Sequence, residues 1–524
     1  MEILVITIAG GPITEGAHMT RIYLDRNHTA RKTGVLCAMT CLLTALAVGA
    51  PAVGLSPASG PPTTNVIVSG SGYAPGMLID IYFGATDEVL AVSSASGEFA
   101  IALHVPAVAQ PGIHWVTAAA RRTGIAAQEA FLVQTNWPEI GFTAKGNRSN
   151  SYENTLSPST VGSIDLHWSF ADGNPTYSPP VVANGAVYAA STGGNVYALN
   201  ASTGAELWSF TTGGSLRAGP TIANGVVYVG AMDNNVYALN ASTGAKLWSF
   251  ATGNIVDSSP TVANGVVYVG SWDNKVYALN ASTGAKLWSF ATADAVETSP
   301  AVANGVVYVG SDDSYVYALN ADTGAKLWSV AGGLSFDAVQ SSPAVADGVV
   351  YVGNYDYNVY ALNASTGAQL WSFATGGQVR SSPAVANGVV YVGSCDYNVY
   401  ALSASTGAQL WSFPTGYCVT ASPAVANGVV YVGSEDNNIY ALNASTGAQL
   451  WSFPTAGFVF PYSAASPTVA NGVVYVGSDN TIVYAFDLAG GRLASQNGSA
   501  APPNPASLVP DYRLKPFTAP PASR

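Results

Sequence analysis

Charge is scarce in this chain. Only 9% of the 524 residues are Asp, Glu, Lys or Arg, and acidic residues outnumber basic ones by 30 to 18. The net charge of −12 excludes nucleic-acid binding as the main task, which needs a basic surface to displace phosphate counterions. Cysteine is scarcer: Cys37 and Cys41 lie inside an N-terminal apolar run, leaving Cys395 and Cys418 for the mature protein. Histidine is almost absent. His104 and His114 sit in strand-like segments, and His167 is the only one among residues 161–496. No Ser/His/Asp or Cys/His constellation can be assembled there, so no catalytic residue is expected. What is abundant is apolar, at 48%, with many Gly, Val, Tyr and Ala. That composition belongs to a foldable, β-rich chain.

One sentence repeats eight times. Its clearest copy is SSPTVANGVVYVGSWDNKVYALNASTGAKLWSF, residues 258–290. The closing tryptophans are Trp168, Trp208, Trp248, Trp288, Trp328, Trp371, Trp411 and Trp451, 40 residues apart except for one step of 43. A strand-rich period of this length implies an array or a ring. Each copy reads as four strands, with Asn264-Gly265 as a two-residue hairpin turn. Four antiparallel strands make a propeller blade. The ends carry matching defects: Ala494 stands where a ninth Trp would fall, and Trp168 in DLHWSF has no copy before it. An N-terminal strand completing the last blade gives an eight-bladed β-propeller, all-β, over residues 161–496. The repeated Asp233, Asp273, Asp313, Asp356, Asp396 and Asp436 read as turn formers, and no metal ligand is expected.

Before the repeats, Arg21, Arg26, Arg31 and Lys32 precede an apolar run, and Ala50-Pro51-Ala52 offers a small-x-small cleavage site. Residues 1–52 are read as a signal or targeting segment, with Met19 as an alternative start. Export places the protein outside the cell, on its surface or in the periplasm. A membrane contact is expected only through this segment, if it stays uncleaved. Residues 54–136 alternate short strands with Gly/Pro turns, as in a small β-sandwich. Residues 137–160 read as a linker, and 497–524 as a disordered Pro-rich tail.

The pattern SPxSGPxxTxVxVSGSGYxPG is similar to the IPT/TIG-type immunoglobulin-like modules, which space, dock or adhere. The motif A-x-N/D-x-x-T-G-x-x-x-W, as in residues 278–288, resembles the tryptophan-docking motif of the pyrroloquinoline-quinone (PQQ)-type propeller repeats. Within that family some members are dehydrogenases with PQQ and Ca²⁺ on the axis, held by long insertions. Blades of 40 residues leave little room for them, so no cofactor is expected. Another resemblance is to the propeller lipoprotein of the outer-membrane insertion machinery, but no Cys follows the apolar run here.

The copies differ mainly on one face. In the turns between second and third strands stand Thr192, Met232, Trp272, Asp312, Tyr355, Cys395, Glu435 and Asp479. Three residues before each blade-opening Pro stand Tyr177, Arg217, Asp257, Glu297, Gln340, Arg380, Thr420 and Ala464. The second set should ring the channel mouth, overhung by the loops 331–342 and 454–466. A varied face on a fixed scaffold is the pattern of a binding surface. The candidate binding residues are Tyr177, Arg217, Asp257, Glu297, Gln340, Arg380, Trp272, Tyr355 and Glu435. Cys395 and Cys418 fall on the same face as a candidate disulfide. The expectation is a non-enzymatic binding or scaffold protein for a protein, peptide or glycan partner. The rivals are a PQQ-dependent dehydrogenase and an envelope assembly factor.

Overall fold

The computed structural model describes residues 50–121, 123–331, 338–455 and 466–488. Residues 1–49, the tail, Ala464, Ala494, half of the entry loop 331–342 and most of 454–466 lie outside the described residues. No helix of the described residues is long and apolar enough to cross a membrane.

Eight antiparallel blades follow one another between residues 164 and 488. In blade 3 the strands are Thr261–Ala263, Val266–Ser271, Lys275–Asn280 and Lys286–Ala291. Asn264 and Gly265 turn at φ +50° and +77°, as a tight hairpin requires. The innermost strands neighbour one another in a closed circle, with blade 8 against blade 1. Closure comes from the N-terminal side. The strand Ile164–Ala171 pairs antiparallel with Ile482–Leu488 and forms the outer edge of blade 8.

The tryptophans join the blades. Trp248 donates its indole N–H to the carbonyl of Ala281 at 3.0 Å, and its ring lies on Gly284. A Cβ on Gly284 would stand 2.7 Å from that ring, and φ there is +71°. Only glycine meets both conditions. The same contact recurs from Trp168 on Gly204 to Trp411 on Gly447. The closing junction differs. Trp451 donates to the carbonyl of Ile164 at 3.1 Å and meets Phe486 edge-on at 5.2 Å.

The turn aspartates are braces. Asp233 accepts from the Gly213 N–H at 2.8 Å, the Tyr237 hydroxyl at 2.6 Å and the Asn235 N–H at 3.1 Å. The set recurs in later blades.

Residues 52–133 form two facing sheets. One joins Ala52–Ser56, Asn65–Ser71 and Phe99–His104. The other joins Ser59–Gly60, Ala126–Val133, Gly112–Ala120, Leu78–Phe83 and Thr86–Val92. Val66, Val68, Ile79, Ile81, Val116 and Phe131 fill the space between them.

The stretch 137–160 is not a free linker, and here the structure corrects the sequence reading. Residues 137–150 form a strap that circles the inside of the channel and touches the inner strand of every blade in turn. Trp137 exchanges two backbone bonds with Val182, both 2.8 Å. The carbonyl of Pro138 takes the N–H of Ile222, and the Glu139 carboxylate takes that of Val262 at 3.4 Å. The carbonyls of Ala144, Lys145, Asn147 and Arg148 take the N–H groups of Val302, Val345, Val385 and Val425. Asn150 donates to the carbonyl of Val469 at 2.9 Å. These are backbone partners for edge strands that otherwise face an open channel. They leave no hydrophobic period in the sequence, which is why the stretch read as a linker.

Candidate functional site

The two ends of the channel are unlike. The strap enters and leaves on the face of the Asn-Gly turns: Thr135 bonds Asn471, and Asn427 bonds Leu156. The sandwich meets the strap's exit. Asn154 donates to the carbonyl of Ala109 at 2.8 Å, and Thr155 to Gln110 at 3.0 Å. The guanidinium of Arg148, 3% exposed, donates to the carbonyls of Ile140, Ser422, Pro423 and Pro467. Burial lowers its pKa to about 9. A row of serines links neighbouring blades around the bore. The N–H of Gly219 bonds the hydroxyl of Ser259, the N–H of Ser259 that of Ser299, and so on through Ser342, Ser382 and Ser422 to Ser466. A cavity of about 20 Å³ remains among Glu139, Arg148, Ser299, Ser342 and Ser382, room for about one water. This end of the bore is therefore filled by residues 137–150.

At the channel mouth on the varied face several expected residues converge. Arg217 Nη1 lies 3.9 Å from Asp257 Oδ2. Burial raises the Asp257 pKa against the pull of Arg217, and its Oδ1 has no hydrogen-bond partner among the described residues. Burial, then Asp312 and Asp257, push the Glu297 carboxyl up to about 7, with Arg217 and Arg380 pulling the other way. Groups from blades 2, 3, 4 and 6 thus share one electrostatic field. Burial lifts Asp312 to about 6, opposed by a hydrogen bond from Gln340. Gln340 also takes a short hydrogen bond from the Tyr355 hydroxyl, and Arg380 lies over the Tyr355 ring at 4.9 Å. Tyr177 is part of the same rim, its pKa raised by burial and then by Asp479.

Two expected residues are placed differently. Glu435 is 7% exposed and takes a hydrogen bond from Thr420 at 3.0 Å, so it supports the rim from beneath. Trp272 is half-buried, with no acceptor for its indole N–H among the described residues. Cys395 and Cys418 are joined by a disulfide.

Three residues escaped the sequence reading. In every blade the turn between the second and third strands puts one residue in the left-handed region. It is Asn234, Asn274 or Asn437 in three blades, but Tyr357 and Tyr397 in two adjacent ones, at φ +71° and +73°. A bulky side chain there costs about 1–2 kcal/mol. Tyr417 stacks on Tyr397 at 5.3 Å and 15°. The usable signal was a tyrosine where sister copies carry asparagine.

The comparisons bear on this fold. The family model described as outer membrane protein assembly factor BamB matches residues 159–257, 236–336, 316–420 and 397–510, more than half of the chain. The chain belongs to this family. Each match spans more than two blades of the propeller, and successive matches overlap. Among solved structures, BamB from Moraxella catarrhalis is 20% identical with a TM-score of 0.54, covering 62% of this chain and 99% of its own. The quinohemoprotein alcohol dehydrogenase ADHIIG from Pseudomonas putida HK5 is 18% identical with a TM-score of 0.59, covering 70% and 82%. The computationally designed Ika8 protein is 19% identical with a TM-score of 0.55, covering 60% and 97%. At these identities the likeness is one of fold. No curated protein matches the sequence.

The mouth has a pH signature. Glu297 ordinarily titrates near 4.5 and is held at about 7, so the folded state binds this proton more tightly than the unfolded chain. Its stabilising effect is complete below about 4.5 and is lost as the pH rises through 7. Glu297→Gln should flatten the decline in stability between pH 5 and 8. Asp312 and Asp257, shifted the same way, leave a residual slope. Urea midpoints at pH 5, 6, 7 and 8 measure this, and identical profiles for both proteins would refute the assignment.

Proposed function

We propose that the chain is an exported, non-enzymatic binding or scaffold propeller that engages its partner at the varied face. The observation that carries this is the asymmetry of the channel. One end is filled by residues 137–150, and the varied end gathers Arg217, Asp257, Glu297, Asp312 and Arg380 into one electrostatic field. The sandwich, read as an IPT/TIG-type immunoglobulin-like module, sits against the filled end and not the varied one. Family membership supports a task in the cell envelope, and an assembly role like that named for BamB is the second reading.

The dehydrogenase reading fits less well. Residues 137–150 run along the inner strands and occupy part of the axial space a tricyclic quinone would need, so no chemical step is assigned to that cofactor. Two experiments test the proposal. Purified protein with PQQ and Ca²⁺ should reduce no dye, and clear turnover overturns the non-enzymatic reading. On peptide and glycan panels, binding should fall at least tenfold in the Arg217→Ala/Arg380→Ala double variant. Binding that survives both changes and Glu297→Gln removes the mouth from the interface.

A further inference from the structure

The strained tyrosines ask for a reason. A repeat that carries asparagine, glycine, serine or threonine at the left-handed turn position in six blades carries tyrosine in two adjacent ones. Burial returns only part of that strain, since Tyr357 is 50% exposed and Tyr397, which stacks on Tyr417, is 45% exposed. Backbone strain of this kind clusters at binding and active sites.

The second observation is rigidity. Tyr417, 49% exposed, lies nearly parallel to Tyr397. The Thr415 hydroxyl lies within hydrogen-bond reach of both carbonyls, 2.9 Å from that of Tyr397 and 2.7 Å from that of Tyr417, and shares its one proton between them. The disulfide between Cys395 and Cys418 ties the same two segments, two residues before one ring and one residue after the other. Tyr357 is fixed likewise: Thr375 donates to its carbonyl through both N–H and hydroxyl. The sheets of adjacent blades pack about 10 Å apart, so the two turn positions lie roughly that far from each other on one face.

We propose that Tyr357, Tyr397 and Tyr417 form a carbohydrate-binding platform for a neutral oligosaccharide. A pyranose ring has an apolar face of C–H groups and a rim of hydroxyls. The first stacks on a tyrosine ring, and the second takes hydrogen bonds from polar side chains. Beside the rings stand the amides of Asn358, Gln378 and Asn398, which also hydrogen-bond Asp356, Arg380 and Asp396. Peptide partners are anchored instead by side chains sunk into desolvated pockets, whereas these rings stand half-exposed. This deepens the varied-face reading and rests on it.

The test is retardation of the purified full chain in native gels that contain hydroxyethylcellulose, xylan, galactomannan, galactan or glycol chitin. A peptide panel runs beside them. At least one neutral polysaccharide should retard the protein. Tyr357→Asn and Tyr397→Asn should each weaken that retention at least tenfold. Both should leave the melting temperature unchanged or higher, because asparagine is what sister blades use there. Retention by none of the five polymers overturns the platform, as does a melting temperature several degrees lower in both variants. Peptide binding lost with the tyrosines overturns the carbohydrate assignment. Glycan retention that ignores the tyrosines but falls in Arg217→Ala/Arg380→Ala moves the site to the mouth and leaves the varied-face reading standing. Retention indifferent to all four changes sinks both.

Discussion

Deletion of residues 165–170 lowers the melting temperature by about 10 °C or more and drives the protein into aggregates. The six residues serve three blades. They pair with Ile482–Leu488, and the loss bares that strand's edge. They carry Trp168, which docks on Gly204 of blade 1 and donates to the Ala201 carbonyl at 2.9 Å. They also adjoin Ile164, whose carbonyl holds Trp451 of blade 7. Burying one tryptophan removes about 150–250 Å² from water, roughly 4–6 kcal/mol gross at about 25 cal/mol per Å². A loss of that size shifts the melting point of a large domain by about 2–4 °C per kcal/mol. Calorimetry and size-exclusion chromatography read the outcome. A monomer melting within about 2 °C of the parent would show that the ring does not depend on this strand.

The second large effect falls on Arg148. Replacement by leucine leaves the carbonyls of Ile140, Ser422, Pro423 and Pro467 without their donor in the filled end of the bore. Buried unsatisfied groups cost about 1–3 kcal/mol each. Against this, the variant no longer has to desolvate a guanidinium, the cost that lowers the arginine's own pKa. The net expectation is a loss of about 3 kcal/mol, less than the sum of the parts. Arg148→Lys should recover less than half, since one ammonium cannot span four carbonyls as the planar fork does. Hydrogen exchange should accelerate at Val385 and Val425, whose N–H groups bond the strap. Wild-type stability together with unchanged exchange at these two sites would show that Arg148 does not anchor the strap.

The repeat made the blades legible because their causes are local. Asn264-Gly265 states a turn, Lys275–Asn280 states a strand, and the Trp248–Gly284 contact recurs at a fixed spacing. The varied face was legible for the same reason, since constant positions isolate variable ones. Choosing among variable positions was harder. Glu435 looked like a surface acid and is buried beneath Thr420. Tyr357 and Tyr397 sat two residues beyond the position compared, at a backbone conformation that only φ reveals.

By itself the sequence determined an all-β ring of eight blades, the strand that closes it and the face on which its copies diverge. Each of these follows from short-range chemistry repeated every 40 residues. Only the tertiary structure decided that the channel is filled at one end. Residues 137–150 reach eight blades mainly through backbone donors and acceptors, which every sequence carries. Their partners lie between 45 and 319 residues away. The same holds for the stacking of Tyr417 on Tyr397 and for the shared field around Glu297. The first depends on how the turns of consecutive blades meet, and the second on the ring that brings groups of non-consecutive blades to one channel.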